Sequence, residues 1–475
     1  MKHLIFFFFY LITNFIHAQI GISSTGSAPN NSAMLDVQSI NKGTLLTRMN
    51  SAQRKAIISP AVGLLVFDTD ASTLFLFDGQ SWLPILLGGS SKDVPLVQRY
   101  APDGLINDNF GYSVAISGDY AVVGSPFNDI DGKNNQGAVY VFKRENGTWT
   151  LNQKITATTG QEGDLFGYSV AIEGDYIIVG AINAGSRGEA YSFRREISGW
   201  IFEGTLISTY VQLSDNFGCS MAISGGYAVI GSQTADVNAT DCGAVHIYHR
   251  INYSWLPVQR IIASDAMNHD NFGNSVAISG DYIMIGAYHD DIGTKIDQGS
   301  AYIFHKNINN LWIEEQKLVA SNGNTNDSFG LSVSLSNDYA VIGSPFFDNG
   351  ATVNQGSTYV FHRAGVNWTQ DLQILVPDGK SNESFGYSVC INGDNLLVGA
   401  FNGGTITNSQ GLGYLYKKNG ASWNFIRRVY EPSSEKNNFF GFNLSLNGDS
   451  FLISAPFNSS INPYQGTVSF GKVDY

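Results

Sequence analysis

The chain has 475 residues and a formal charge of −13, with 14% charged residues, 13% aromatics and 52 Gly. That balance excludes a coiled coil, a disordered chain and a helical bundle, and it fits a turn-rich β protein. The acidic excess without a basic patch points away from a nucleic-acid partner.

The chain opens with Lys2, an apolar run from Leu4 to Ile16 and a small residue at Ala18. This order predicts a secretory leader over 1–18, cleaved near Ala18. The run is too short to span a bilayer comfortably, and no later stretch reads as a transmembrane helix. Cleavage would leave 26 bases against 40 acids, a mature charge of −14. The expected location is outside the cell or at its surface. Three Cys (Cys219, Cys242, Cys390) are too few for a disulfide framework, and an odd count leaves a free thiol. The repeat places Cys219 and Cys242 on separated strands, which disfavours pairing them.

Residues 19–90 form a separate β-rich segment. Gly63-Leu64-Leu65-Val66-Phe67-Asp68 and Leu74-Phe75-Leu76-Phe77 read as a hairpin, and Gly88-Gly89-Ser90-Ser91 as a flexible linker. The segment resembles N-terminal modules of bacterial surface and tail-fibre-like proteins, which attach or trimerise. That likeness implies a homo-oligomer formed through 19–90.

From 91 to 475 the sequence repeats. Phe-Gly recurs at Phe110, Phe166, Phe217, Phe272, Phe329, Phe385 and Phe440, with a mean spacing of 55 residues. The first unit runs Phe110 to Ile116, a Gly118-Asp119 pair, Tyr120 to Pro126, a variable loop, Gln136 to Phe142, and a segment opened by Trp149. These are four short β runs, the first two joined by a two-residue hairpin. Asn337 replaces the turn Gly once, and Gly226 replaces the turn Asp once. Four strands repeated seven times predict an all-β, seven-bladed β-propeller of four-stranded blades behind a small N-terminal β-rich module. The last unit has only three strands, while 96–100 resembles 151–155. Residues 94–100 are therefore expected to close the ring as the missing strand.

The units resemble FG-GAP repeats, the blades of integrin α-chain propellers and of many bacterial secreted proteins. The Gly-Ala-Pro element stands as Gly124-Ser125-Pro126, Gly343-Ser344-Pro345 and Ser454-Ala455-Pro456. Integrin-type repeats often hold calcium between the first two strands. Here Gly-Asp is too short to wrap a cation that needs six to eight oxygens. No cofactor or metal is expected; the alternative is a weak calcium site within one of the second-to-third-strand loops, at Asp129 and Asp131 or at Asp290 and Asp291.

An acid precedes most Phe-Gly pairs by two residues (Asp108, Asp164, Asp215, Asp270, Asp327, Glu383), a recurrence that suits a structural acceptor. A base follows each third strand (Lys143, Arg194, His249, His305, His362, Lys417, Lys472), usually with a second base behind it. These rim bases are expected to serve solubility and weak surface pairing.

The loops between second and third strands vary most between repeats, and variable loops on a rigid scaffold are where ligands bind. The integrin resemblance implies the same face. The candidate ligand-binding residues are Asn128, Asp129, Asp131, His289, Asp290, Asp291, Phe346, Asp348 and Asn349. No nucleophile elbow, zinc-protease helix or phosphate loop is present, so no catalytic residue is assigned and the chain is not expected to be an enzyme. The leading expectation is an extracellular or cell-surface binding or adhesion protein for a protein or glycan ligand. The alternative is a structural display or spacer protein with an oligomerising N-terminal module. A polysaccharide-acting propeller hydrolase ranks third, because two carboxylates can meet in space without a sequence signature.

Overall fold

The computed structural model describes residues 20–23, 35–39, 44–69, 73–77, 79, 82–85, 96–376, 379–405, 408–420, 422–431 and 437–473. The expected leader and the Gly-Gly-Ser-Ser linker lie outside the described residues. The chain divides into two compact units, Met1–Gly89 and Ser90–Tyr475.

In the first unit, strands Arg48–Met49, Leu65–Asp68, Thr73–Phe77 and Trp82–Ile85 form one sheet in that order. Leu65–Asp68 alternates half-buried and buried side chains, as a strand with one covered face does. The helix Ser51–Lys55 starts at Asn50, whose side chain accepts the Gln53 N–H while the Gln53 side chain accepts the Asn50 N–H. Its Arg54 is buried, bonded to Asp68 at 2.8 Å and lying 3.7 Å from the Phe75 ring centroid. Removing either charge would leave the other buried and uncompensated.

The described residues of the second unit form seven sheets of four antiparallel strands. Within each, consecutive strands pair in chain order. The exception is the last sheet, whose fourth strand is Val97–Arg99 from the start of the unit, with Val468 opposite Arg99 and Phe470 opposite Val97. The first strand of every sheet neighbours that of the next, and the seventh neighbours the first. This closed cycle is a propeller, and the first and last strands of the second unit pair in its last blade.

Local chemistry sets each blade. Ser117 faces Tyr120 across the Gly118-Asp119 turn, where Gly118 has φ +56°, a left-handed value that glycine accepts without strain. The Phe of every Phe-Gly is at most 1% exposed, and Phe110 meets Tyr140 edge-on at 5.3 Å. These Phe form the core of the blades. The acids two residues earlier accept a backbone N–H from three residues upstream, as Asp108 does from Leu105 and Asp270 from Met267, both at 2.7 Å.

The seams between blades explain the Gly of each motif. Ser113 Oγ donates to the Gly167 carbonyl of the next blade at 2.8 Å, and a Cβ on Gly124 would lie 2.0 Å from that oxygen. The rim bases do more than keep the surface soluble. The second base of a blade reaches back over the preceding blade's Tyr: Arg250 lies 3.7 Å from the Tyr176 centroid, Lys306 4.5 Å from Tyr227 and Lys418 4.1 Å from Tyr339. The blade's own His stacks on the same Tyr, as His249 does on Tyr227 at 4.3 Å. Each such cation–π contact contributes about 0.5–2 kcal/mol. The expectation of weak surface pairing missed this because the partner lies one repeat away.

Candidate functional site

Strand direction puts the loops leading into each blade and the loops between second and third strands at one end of the ring. Hydrogen bonds join the two sets: Asn128 Nδ2 donates to Asp108 Oδ2 at 2.5 Å, and Ser125 Oγ to the Asp108 carbonyl at 2.8 Å. This end is the loop face.

The residues singled out from the sequence divide into struts and surface groups. Asn128 is 2% exposed, and its Oδ1 accepts from Lys154 at 3.0 Å. Asp290 is 4% exposed; it accepts from Ser300 and Tyr302 and pairs with Lys317 at 2.6 Å. Both are internal braces, so neither presents a free group to a ligand. Asp129, Asp291 and Asp348 are exposed, yet each accepts the backbone N–H six residues on, from Asn135, Asp297 and Asn354 at 2.8, 2.9 and 2.7 Å. The three long loops are thus copies of one braced turn. Asp131 and Asn349 are exposed, and Phe346 and His289 half-buried. His289 Nδ1 lies 2.9 Å from Asn271 Oδ1, and burial lowers its pKa.

Asp129 and Asp131 stand on blade one, and Asp290 and Asp291 on blade four. Among the described residues no group of three His, Cys, Asp or Glu side chains converges to hold a metal ion. Cys219, Cys242 and Cys390 are unpaired thiols, and burial pushes Cys219 up to about 11.

What the structure does bring together is the residue after each Phe-Gly: Tyr112, Tyr168, Cys219, Asn274, Leu331, Tyr387 and Phe442. With the Ser or Asn and the apolar residue that follow, they line an axial cavity of about 350 Å³. Four of the seven are aromatic and lie side by side on blades six, seven, one and two. Ring centroids are 5.4 Å apart for Tyr387–Phe442, 5.3 Å for Phe442–Tyr112 and 4.9 Å for Tyr112–Tyr168. The cluster continues onto the loop face through Phe127 against Tyr112, Phe401 against Tyr387 at 4.2 Å, and Phe457 against Phe442. All of these rings are half-buried.

Burial raises the phenols of Tyr112 and Tyr168 and takes Tyr387 to about 12, so all three stay neutral at physiological pH. The lining carries Tyr, Ser and Asn but no carboxylate. A surface of neutral rings with hydroxyl and amide groups can cover the apolar face of a ligand and orient it by hydrogen bonds. The sequence carried a signal for this site. In an otherwise fixed motif, the residue after Phe-Gly varies through Tyr, Cys, Asn, Leu and Phe.

A family model described as FG-GAP repeat matches residues 100–142, 149–193, 200–248, 255–304, 312–361 and 368–416. From the second copy onward, each match starts at a fourth strand and ends in the third strand of the next blade, so the matched unit spans a seam. A second model, described as a phage tail like trimerisation region, matches residues 21–94. No curated protein matches the chain. Among solved structures the chain is similar to one described as a candidate 6-phosphogluconolactonase from Bacteroides uniformis. The identity is 13% and the TM-score 0.47, over 75% of this chain and 92% of that one.

Proposed function

The chain belongs to the FG-GAP repeat family, and from that premise we propose that it is an exported binding or adhesion module whose ligand seats on the loop face, over the aromatic mouth of the axial cavity. The observation that carries this reading is the contiguous cluster of Tyr387, Phe442, Tyr112 and Tyr168, half-buried in the folded ring. Rings of this kind complement the apolar faces of sugar rings and of apolar peptide side chains, while their hydroxyls supply directional contacts. An extracellular glycan or protein is the ligand class that follows.

Export rests on the leader read from 1–18. Among the described residues no helix is long and apolar enough to cross a membrane. Residues 19–90 would hold the protein as a trimer, on the similarity of 21–94 to a trimerisation region, and three rings would multiply a weak contact into a firm one. The cavity lining holds no carboxylate pair for glycoside hydrolysis, which favours binding over catalysis. The proposed module needs no cofactor. In the alternative reading, 19–90 oligomerises and the ring is a rigid spacer.

The test is the full chain screened on glycan and matrix-protein arrays, with and without calcium. Specific retention that survives chelation supports the proposal. Absence of retention supports the spacer, and turnover of a bound glycan supports a hydrolase.

A further inference from the structure

The repeat allows one blade to be compared with another, and one of the places where blade three departs from blades one and four is a cluster of three side chains. In blade one the Tyr140 hydroxyl and Lys154 Nζ both donate to Asp103, at 2.7 and 2.6 Å. In blade four Tyr302 and Lys317 hold Asp265 in the same way, at 2.8 and 2.7 Å. The carboxylate stands seven residues before the Phe of Phe-Gly. The hydroxyl stands three residues after the third strand's Gly, and the base five after the fourth strand's Trp.

Those three positions in blade three are Tyr210, His246 and Arg260. The cation is retained and the carboxylate is gone. Arg260 makes no ion pair or side-chain hydrogen bond among the described residues; its guanidinium lies 4.5 Å from the Tyr210 ring centroid. Asp215, which feels the Arg260 charge, is engaged by the Gln212 N–H at 2.7 Å. A cavity of about 510 Å³ opens here, walled by Tyr210, His246, Tyr248, Pro257 and Arg260.

Two buried polar groups in this wall have no partner. His246 is 3% exposed; its Nδ1 lies 3.0 Å from Ser208 Oγ, while Nε2 has none. The hydroxyl of the buried Tyr248 has none either. With Ser208 donating to Nδ1, the imidazole proton sits on Nε2. Burial and the nearby Arg260 hold the ring neutral, with a pKa down at about 3. Arg260 and His246 Nε2–H are then donors, and a buried donor left without a partner, as Nε2–H is, is costly.

We propose that the blade-three cavity binds a small organic carboxylic acid, whose carboxylate takes the place beside Arg260 that Asp103 and Asp265 fill in blades one and four. An arginine fork suits a carboxylate, and the volume suits a ligand of about monosaccharide size. The inference does not depend on the mouth of the axial cavity.

The probes are D-glucuronate and D-glucose, titrated into the full chain by calorimetry. Saturable binding of glucuronate, at least tenfold tighter than of glucose, is expected. In Arg260→Gln the glucuronate response should fall at least tenfold; Gln373 already occupies this position in blade five, so the fold accommodates it. The double variant Tyr210→Asp with His246→Tyr restores the acid and the hydroxyl of the blade-one set beside the Arg260 cation, and it should lose glucuronate binding while melting at a higher temperature. Equal responses to the two sugars, no response to either, or a glucuronate response unchanged in Arg260→Gln would each overturn the proposal.

Discussion

The side-chain amide of Gln316 donates to the Trp368 carbonyl at 2.8 Å and accepts the Trp368 N–H at 2.9 Å. One side chain on the fourth strand of blade four thus satisfies both backbone groups of a residue on the outer strand of blade five. Gln153 holds Trp200 and Gln259 holds Trp312 in the same way. Outer strands of a propeller have unpaired backbone groups, and these clamps occupy them at three of the seams. Gln316→Ala is expected to lower stability by about 1–3 kcal/mol, for two part-buried hydrogen bonds. Gln316→Glu should cost more, because a carboxylate would face the Trp368 carbonyl. Urea unfolding of both variants checks the order.

Gly124 is fixed by the neighbouring blade. The Cβ of Gly124→Ala would meet the Gly167 carbonyl, so that blade one must shift or the Ser113 bond must stretch. Overpacking of this kind costs about 1–3 kcal/mol. Blade seven has Ser454 at the matching position, where Asn443 replaces the seam Ser and its side chain accepts from the Val114 N–H. Ser454→Ala should therefore cost less than Gly124→Ala. Thermal melts of the two variants make the comparison.

Stability should fall between about pH 4 and pH 6. Burial, with the charges of Asp290 and Asp348, lifts Asp270 and Asp327 to about 6, against the opposing Met267 and Asn324 N–H bonds. A carboxyl raised above its unfolded value near 3.9 keeps its proton longer when folded, so folding loses free energy as pH rises through that window. Each site accounts for a loss on the order of 2 kcal/mol. Asp103 and Asp265 act in the opposite direction. Burial raises them, but the Lys154 and Lys317 bonds and charges, together with the Tyr140 and Tyr302 bonds, outweigh it and lower both. Asp270→Asn and Asp327→Asn should flatten the decline and raise the melting temperature at pH 7.5. Asn438 stands at this position in blade seven, so the amide has a precedent in the ring.

Much of the ring was legible because its devices repeat. Phe110 and its six counterparts, the Gly-Asp turns and the outer Trp each recur at fixed offsets, and such recurrence marks scaffold. The sites where repeats disagree were harder to read. Asn128 and Asp290 looked like ligand groups on variable loops, but their partners Asp108 and Lys317 lie 20 and 27 residues away in sequence. The four-ring mouth was hidden because Phe442 reaches Tyr112 only when the last blade meets the first. His246 drew no reading as a site, because its difference shows only beside Tyr140 and Tyr302 at the same place in other blades.

The proposed trimer through 19–90 has a direct check in solution. Light scattering of the full mature chain should give the mass of three chains, following the similarity of 21–94 to a trimerisation region. A single-chain mass across the accessible concentration range would contradict it.

The most direct test of the binding account compares the two faces of the ring with one retained ligand from the arrays. Tyr387→Ala combined with Phe442→Ala removes two adjacent rings of the mouth, and Asp119→Ala with Asp175→Ala alters two turns on the opposite rim. Each variant is confirmed as folded by its melting curve before its affinity is measured. The account predicts at least a tenfold loss for the mouth variant and no change for the rim variant. Undiminished binding by the mouth variant, with a loss in the rim variant, would contradict it.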